Sequence, residues 1–169
     1  NATLLNAGSV STTGALSLGS QGVSVTSGGS FSANSISGNL NVANEVVSLG
    51  FENKYVLEDA VLADDVSALT LTSGSPLFDA SLDGSDIVLA KKDFADVLQN
   101  NSSVAAFLEQ NYALQNDAAL FKDLKEKTSL AEVQNAVSSL TGQDVLSRFS
   151  TEDLLLEKEL NFDVSEKMF

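Results

Sequence analysis

Ala15-Leu16-Ser17-Leu18, Val23-Ser24-Val25-Thr26, Ser35-Ile36-Ser37 and Asn39-Leu40-Asn41-Val42 are the runs on which the fold turns. In each, apolar and polar residues alternate, and a period of two places every apolar side chain on one face of a strand. Gly8, Gly14, Gly22, Gly29 and Gly38 punctuate them at spacings of 6, 8, 7 and 9, a loose repeat. Inward Leu, Val, Ile and Phe, outward Ser, Thr and Asn, and glycine at the corners predict the end of a right-handed parallel β-helix, with coils stacked along one axis. A plain antiparallel sandwich is the alternative, because alternation does not fix strand direction.

Charge divides the chain. Residues 1–44 contain no Asp, Glu, Lys or Arg, and the first charge is Glu45. From 45 to 90 the strand pattern continues with charge added: Val46-Val47-Ser48-Leu49, Lys54-Tyr55-Val56-Leu57, Ala68-Leu69-Thr70-Leu71-Thr72 and Asp86-Ile87-Val88-Leu89. Ser73-Gly74-Ser75-Pro76 and Asp83-Gly84-Ser85 carry turn chemistry.

After Lys92 the period becomes helical. Asp93 is positioned to cap a helix with Phe94, Val97 and Leu98. A second opens near Asn101 or Ser102 with Val104, Phe107 and Leu108. A third, with Asn116 as its cap, carries Leu120, Phe121 and Leu124. Ser129-Leu130-Ala131-Glu132 is a capping box, followed by a stripe of Leu130, Val133, Val137 and Leu140 that Gly142 stops. Ser150-Thr151 opens a last acidic segment with Leu154, Leu155 and Leu156. Such short stripes need tertiary packing to persist. The expected organisation is therefore mainly β with C-terminal α: a β-solenoid end over 1–92 and a short helical region over 93–169.

Composition narrows the function. The net charge of −14, from 23 acids against 9 bases, repels phosphate backbones and anionic lipid, so nucleic acid is not an expected partner. Cysteine and histidine are both absent. That removes Ser-His-Asp and Cys-His catalysis from this chain, together with the usual ligands of zinc and iron. An absence of cysteine suits a protein that crosses membranes unfolded. No apolar run approaches the roughly 20 residues of a membrane-spanning helix. Asn1 is not an initiator, so a processed piece with its export signal upstream is expected.

The remaining chemistry is carboxylate and lysine. Glu58-Asp59 and Asp64-Asp65 are candidate acid pairs for glycoside cleavage, but adjacent residues of a strand point to opposite faces, which favours solvated loop edges. Asp79, Asp83 and Asp86 are candidate calcium ligands, yet they miss the EF-hand spacing and the calcium nonapeptide. A serine with Lys91 or Lys92 is a conceivable dyad, although paired lysines beside a helix start are expected to be solvated. No P-loop or dinucleotide fingerprint is present. No catalytic, cofactor-binding or metal-binding residue is assigned.

Three pieces resemble the end of autotransporter passengers, the type V secretion system of Gram-negative bacteria. Leu77 to Leu89 is similar to that family's last strands around a turn. Asn100-Asn101-Ser102-Ser103-Val104-Ala105-Ala106-Phe107-Leu108 resembles its "N-x-x-x-V-A-x-x-L" helix, and Leu140-Thr141-Gly142-Gln143 its "L-S-G-E" turn, with Gln143 where an acid is usual. The resemblance implies a non-catalytic passenger segment at the cell surface or secreted. Its partners would be an upstream effector, often a subtilisin-like serine protease, and a downstream outer-membrane barrel, the segment assisting folding and secretion. No barrel pattern follows within 144–169, and the protease triad has no counterpart here. The alternatives are an adhesin with a host surface ligand, a polysaccharide-acting enzyme and a trimeric viral fibre.

Overall fold

A computed structural model describes residues 4–99 and 101–139. In chain order the strands are β1 (Leu4–Asn6), β2 (Ser9–Ser11), β3 (Ala15–Ser17), β4 (Val23–Val25) and β5 (Ser30–Val42). A single helical turn follows, α1 (Glu45–Ser48), and then β6 (Lys54–Leu57), β7 (Val61–Asp65), β8 (Leu69–Ser73), β9 (Phe78–Asp83) and β10 (Asp86–Lys91). The helices α2 (Phe94–Val97), α3 (Ser102–Ala113), α4 (Ala118–Glu126) and α5 (Leu130–Ser138) come last.

The long strand β5 organises a seven-stranded sheet. Its first part pairs in parallel with β2 and β3, and with β7. Its last part pairs in parallel with β4 and β8, and β1 pairs outside β4. The change of partners falls at Gly38, where φ is +95°, a value that L side chains resist. A Cβ there would lie 2.7 Å from the Gly19 amide nitrogen, so the corner is closed to any larger residue.

The right-handed parallel β-helix expected over 1–92 does not form. Beside the parallel sheet stands a separate three-stranded antiparallel sheet, in the order β6-β10-β9, and the architecture is mixed sheets with helices. The reason lies in the Asp83-Gly84-Ser85 turn. Only Gly84 and Ser85 separate β9 from β10, and so tight a connection can join only antiparallel neighbours. Val46-Val47-Ser48-Leu49 is not a strand either. Its first three residues are helical, Val47 is buried and Leu49 is exposed, so tertiary placement overrides β-branched propensity.

One apolar core runs through sheets and helices. It includes Phe31, Ile36, Leu40 and Val42 of β5, Ile87 and Leu89 of β10, and Leu108, Phe121, Leu124, Val133 and Val137 of the helices. Leu16, Leu18 and Val23 pack against it half-buried. Leu130 stands 41% exposed and leaves the expected stripe. Asn101 caps α3, its side chain accepting from the Val104 amide at 3.4 Å. α4 is capped by Asp117, not Asn116: with φ at +49°, Asp117 accepts from the Leu120 amide at 3.1 Å. Asp93 makes no side-chain cap. Leu140, the Leu140–Gln143 turn and the segment from Ser150 lie outside the described residues, as does Asn100.

Candidate functional site: an uncharged sheet edge and two buried lysines

The acids singled out in the sequence are brought together only in part: Asp83 and Asp86 are register partners across the β9–β10 turn, and Asp59 reaches Asp86 from the turn after β6. Glu58 and Asp59 are exposed. The Asp59 amide donates to Asp86 Oδ1 at 2.8 Å, and Asp59 Oδ1 accepts from the Ser85 hydroxyl at 2.9 Å, a clamp between two turns. Asp64 and Asp65 are exposed on β7. Asp65 accepts from the Ser67 amide at 2.9 Å, and that hydrogen bond holds its carboxyl below the usual range. Asp79 pairs with Lys92 at 3.2 Å. Among the described residues, no group of acids is placed to hold a metal ion.

Lys91 is the exception to the expected solvated pair. Its side chain is only 4% exposed and forms a 2.7 Å ion pair with Glu109 of α3. Its ammonium also donates to the Lys92 carbonyl at 2.8 Å and stands 4.6 Å from the Phe94 ring centroid. Glu109 also engages a second group, its other oxygen accepting from the Phe94 amide at 2.9 Å. A distant carboxylate thus serves the α2 terminus that Asp93 was expected to cap.

Lys125 is buried more deeply, at 1% exposure. Its ammonium donates to the Gly50 carbonyl and lies 5.6 Å from the ring centroids of both Phe51 and Tyr112. Burial lowers its pKa to about 8, opposed by the negative charge of Glu52. Phe51, Phe94, Tyr112 and Phe121 form the surrounding shell, with Tyr112 and Phe121 5.3 Å apart and nearly perpendicular. The Tyr112 hydroxyl donates to the Glu52 carbonyl at 2.8 Å. The Tyr55 hydroxyl is buried without a partner of good hydrogen-bonding geometry, yet it stands close enough to the Glu52 carboxylate to lower that group. Burial raises both tyrosines, Tyr112 to about 12. Lys125 lies four residues after Phe121 on the inward stripe of α4, a spacing that could have marked it as buried. This cluster joins the loop after α1 to the helices, through the Lys125 ammonium on the Gly50 carbonyl and the Tyr112 hydroxyl on the Glu52 carbonyl.

The sheet edges differ in chemistry. β1, β2 and β3 form the outer edge on one side, each with pairing on one side only among the described residues. That edge has no charged side chain, and it exposes Leu5 (51%) and Val10 (37%). On the other side, the end of β7 is engaged by the hairpin, the Val61 amide donating to the Ser85 carbonyl at 2.9 Å, while Asp64 and Asp65 stand exposed. Charged, covered edges resist strand addition; uncharged, unpaired ones accept it.

Comparison with known protein families, with characterised proteins and with solved structures finds no match for this chain. Among the described residues, no helix is long and apolar enough to cross a membrane.

Proposed function

We propose that this chain is a non-catalytic structural segment of a bacterial surface passenger, of the autotransporter type, that assists folding and secretion of an upstream effector. The observation that carries the reading is the asymmetry of the parallel sheet. One edge is uncharged and unpaired among the described residues, while on the far side the hairpin engages the start of β7 and the apolar core continues into a helical layer. A sheet end built this way offers a folded template to chain arriving at its open edge. The likeness of Leu77–Leu89 and of Asn100–Leu108 to passenger ends supports the same reading; Phe78–Leu89 form the hairpin and Ser102–Leu108 lie on α3, while Asn100 is outside the described residues. The effector is proposed to be a subtilisin-like serine protease, and a translocator barrel is proposed downstream.

Expressing the parent reading frame with residues 102–139 deleted tests this. The expected result is an inserted barrel with little effector at the cell surface. Undiminished delivery of folded effector would defeat the proposal.

A further inference from the structure

We infer that the outer edge of β6 docks a second copy of this chain, forming a twofold antiparallel dimer in which Lys54 of each copy meets Glu58 of the partner subunit. Chain added to the parallel sheet would extend β1, β2 and β3, so this edge is separate from the one the proposed function uses.

The first ground is the backbone. β6 lies mid-chain at the edge of the antiparallel sheet, and β10 is its one neighbour among the described residues. The Lys91 amide donates to the Asn53 carbonyl at 2.8 Å, which sets the phase of the ladder. Antiparallel pairing alternates, so Tyr55 and Leu57 exchange hydrogen bonds with Leu89 and Ile87, while the amides and carbonyls of Lys54 and Val56 point outward in the plane of the sheet. No group among the described residues takes them up. Lys54, Val56 and Glu58 are all exposed, Val56 by 43%, and the period of two places them on one face. Val88, the register partner of Val56, lies half-buried on the same face.

The second ground is self-complementary charge. A lysine on an edge ordinarily turns other strands away. With Val56 opposite Val56 of the partner subunit, however, Lys54 falls opposite Glu58 of the partner subunit at both ends of the pairing, and the Val56–Val88 pair extends into an apolar row across the two copies. Sliding the strands by two residues sets a charge opposite a valine, and sliding by four sets like charges opposite each other, so one register is favoured. Neither Lys54 nor Glu58 has an ion-pair partner of its own among the described residues. The flanking acids are engaged within their own chain, Asp59 with the Ser85 hydroxyl and Glu52 beside the Tyr55 hydroxyl. On a chain of net charge −14, the strip from 54 to 58 carries one lysine, one glutamate and no net charge, so two copies approach there with little repulsion. Both copies use the same edge, so the pairing closes at two chains.

Sedimentation velocity on the whole chain, from about 5 to about 500 μM at about 150 mM salt, reads the equilibrium directly. The wild type is expected to pass from monomer to dimer with concentration. Lys54→Glu and Glu58→Lys each set like charges against each other at both crossings, and each should weaken the dimer about tenfold with an unchanged far-UV spectrum. An equimolar mixture of the two variants should dimerise as the wild type does, because every crossing of the mixed pair again joins opposite charges. Amide exchange at Lys54 and Val56 should slow as concentration rises. A wild type that stays monomeric, assemblies that grow past two chains, single variants that dimerise like the wild type, or a mixture that associates no better than its components would each overturn the inference. A monomer would leave the proposed function standing, since that is tested by delivery of the effector.

Discussion

Lys125 donates its ammonium hydrogen to the carbonyl of Gly50, 75 residues away in sequence, inside a shell of Phe51, Tyr112 and Phe121. This contact fastens α4 to the loop that leaves the parallel sheet. It also places a titratable group where its charge is poorly solvated, so the joint between sheet and helices depends on pH.

Between its folded pKa of about 8 and its ordinary value of 10.5, Lys125 holds a proton in the unfolded chain but not in the folded one. Stability from this group therefore rises with pH across that window. Tyr55 and Tyr112 have the opposite sign: their folded values lie above the ordinary 10.0, so their contribution falls as pH climbs past it. The urea midpoint should climb from pH 8 towards about 10 and then turn down. Lys125→Met should remove the climbing limb and keep the descending one. An unaltered climb in that variant would assign it to another group.

Glu109 should matter more alone than together with its partner. Glu109→Ala leaves the Lys91 ammonium, 4% exposed, without its carboxylate, and takes the acceptor from the Phe94 amide. A loss of about 2–4 kcal/mol is expected, discounted because Glu109 itself is partly exposed. Adding Lys91→Met to Glu109→Ala should recover part of that loss, as measured by denaturant titration of all four species in the cycle.

Gly38→Ala meets both a positive φ and backbone atoms of Gly19 at 2.7 and 2.8 Å. It should cost on the order of 2 kcal/mol. Gly8 has open space around it and no positive φ, so Gly8→Ala should be nearly neutral. Equal melting temperatures for the two variants would remove Gly38 as the corner of β5.

Much of the strand placement is legible because it rests on local alternation: β6, β8 and β10 fall, within a residue or two at their ends, where Lys54–Leu57, Ala68–Thr72 and Asp86–Leu89 point. The Ser129 hydroxyl accepts from the Glu132 amide at 3.2 Å, as a capping box requires, although the Glu132 carboxylate reaches back to Thr128, not to Ser129. The architecture was less legible. Alternation says which face is buried but not which strand is the neighbour, and the β9–β10 hairpin sets the antiparallel sheet. Val46-Val47 reads as strand by propensity and becomes helix through packing. The lysine sites escaped because burying an ammonium depends on Gly50 and Glu109, remote in sequence from Lys125 and Lys91. The candidate edge was visible as an uncharged stretch, but its lack of pairing is a property of the sheet.

The Ser129 cap gives a smaller test of the helical layer. Ser129→Ala should cost about 1 kcal/mol. Accepting from Thr128 keeps the Glu132 carboxyl below its ordinary 4.5, so its contribution is present above that value and lost as pH falls through the lower folded one. Protection factors of the α5 amides should therefore fall in acid, and Glu132→Gln should flatten that dependence.

We propose that the folded helical layer serves the export of an upstream effector, and the decisive measurement is surface display of the parent protein carrying Val137→Asp. Val137 is 3% exposed in the shared core, so an aspartate there buries a charge without a partner and should unfold α5. The measurement is protease accessibility of the upstream domain on intact cells, with barrel insertion as the internal reference and amide exchange of the isolated variant reporting the state of the helices. The expected result is an intact barrel, unfolded helices and several-fold less displayed effector. Normal display with the helices demonstrably unfolded would contradict the claim.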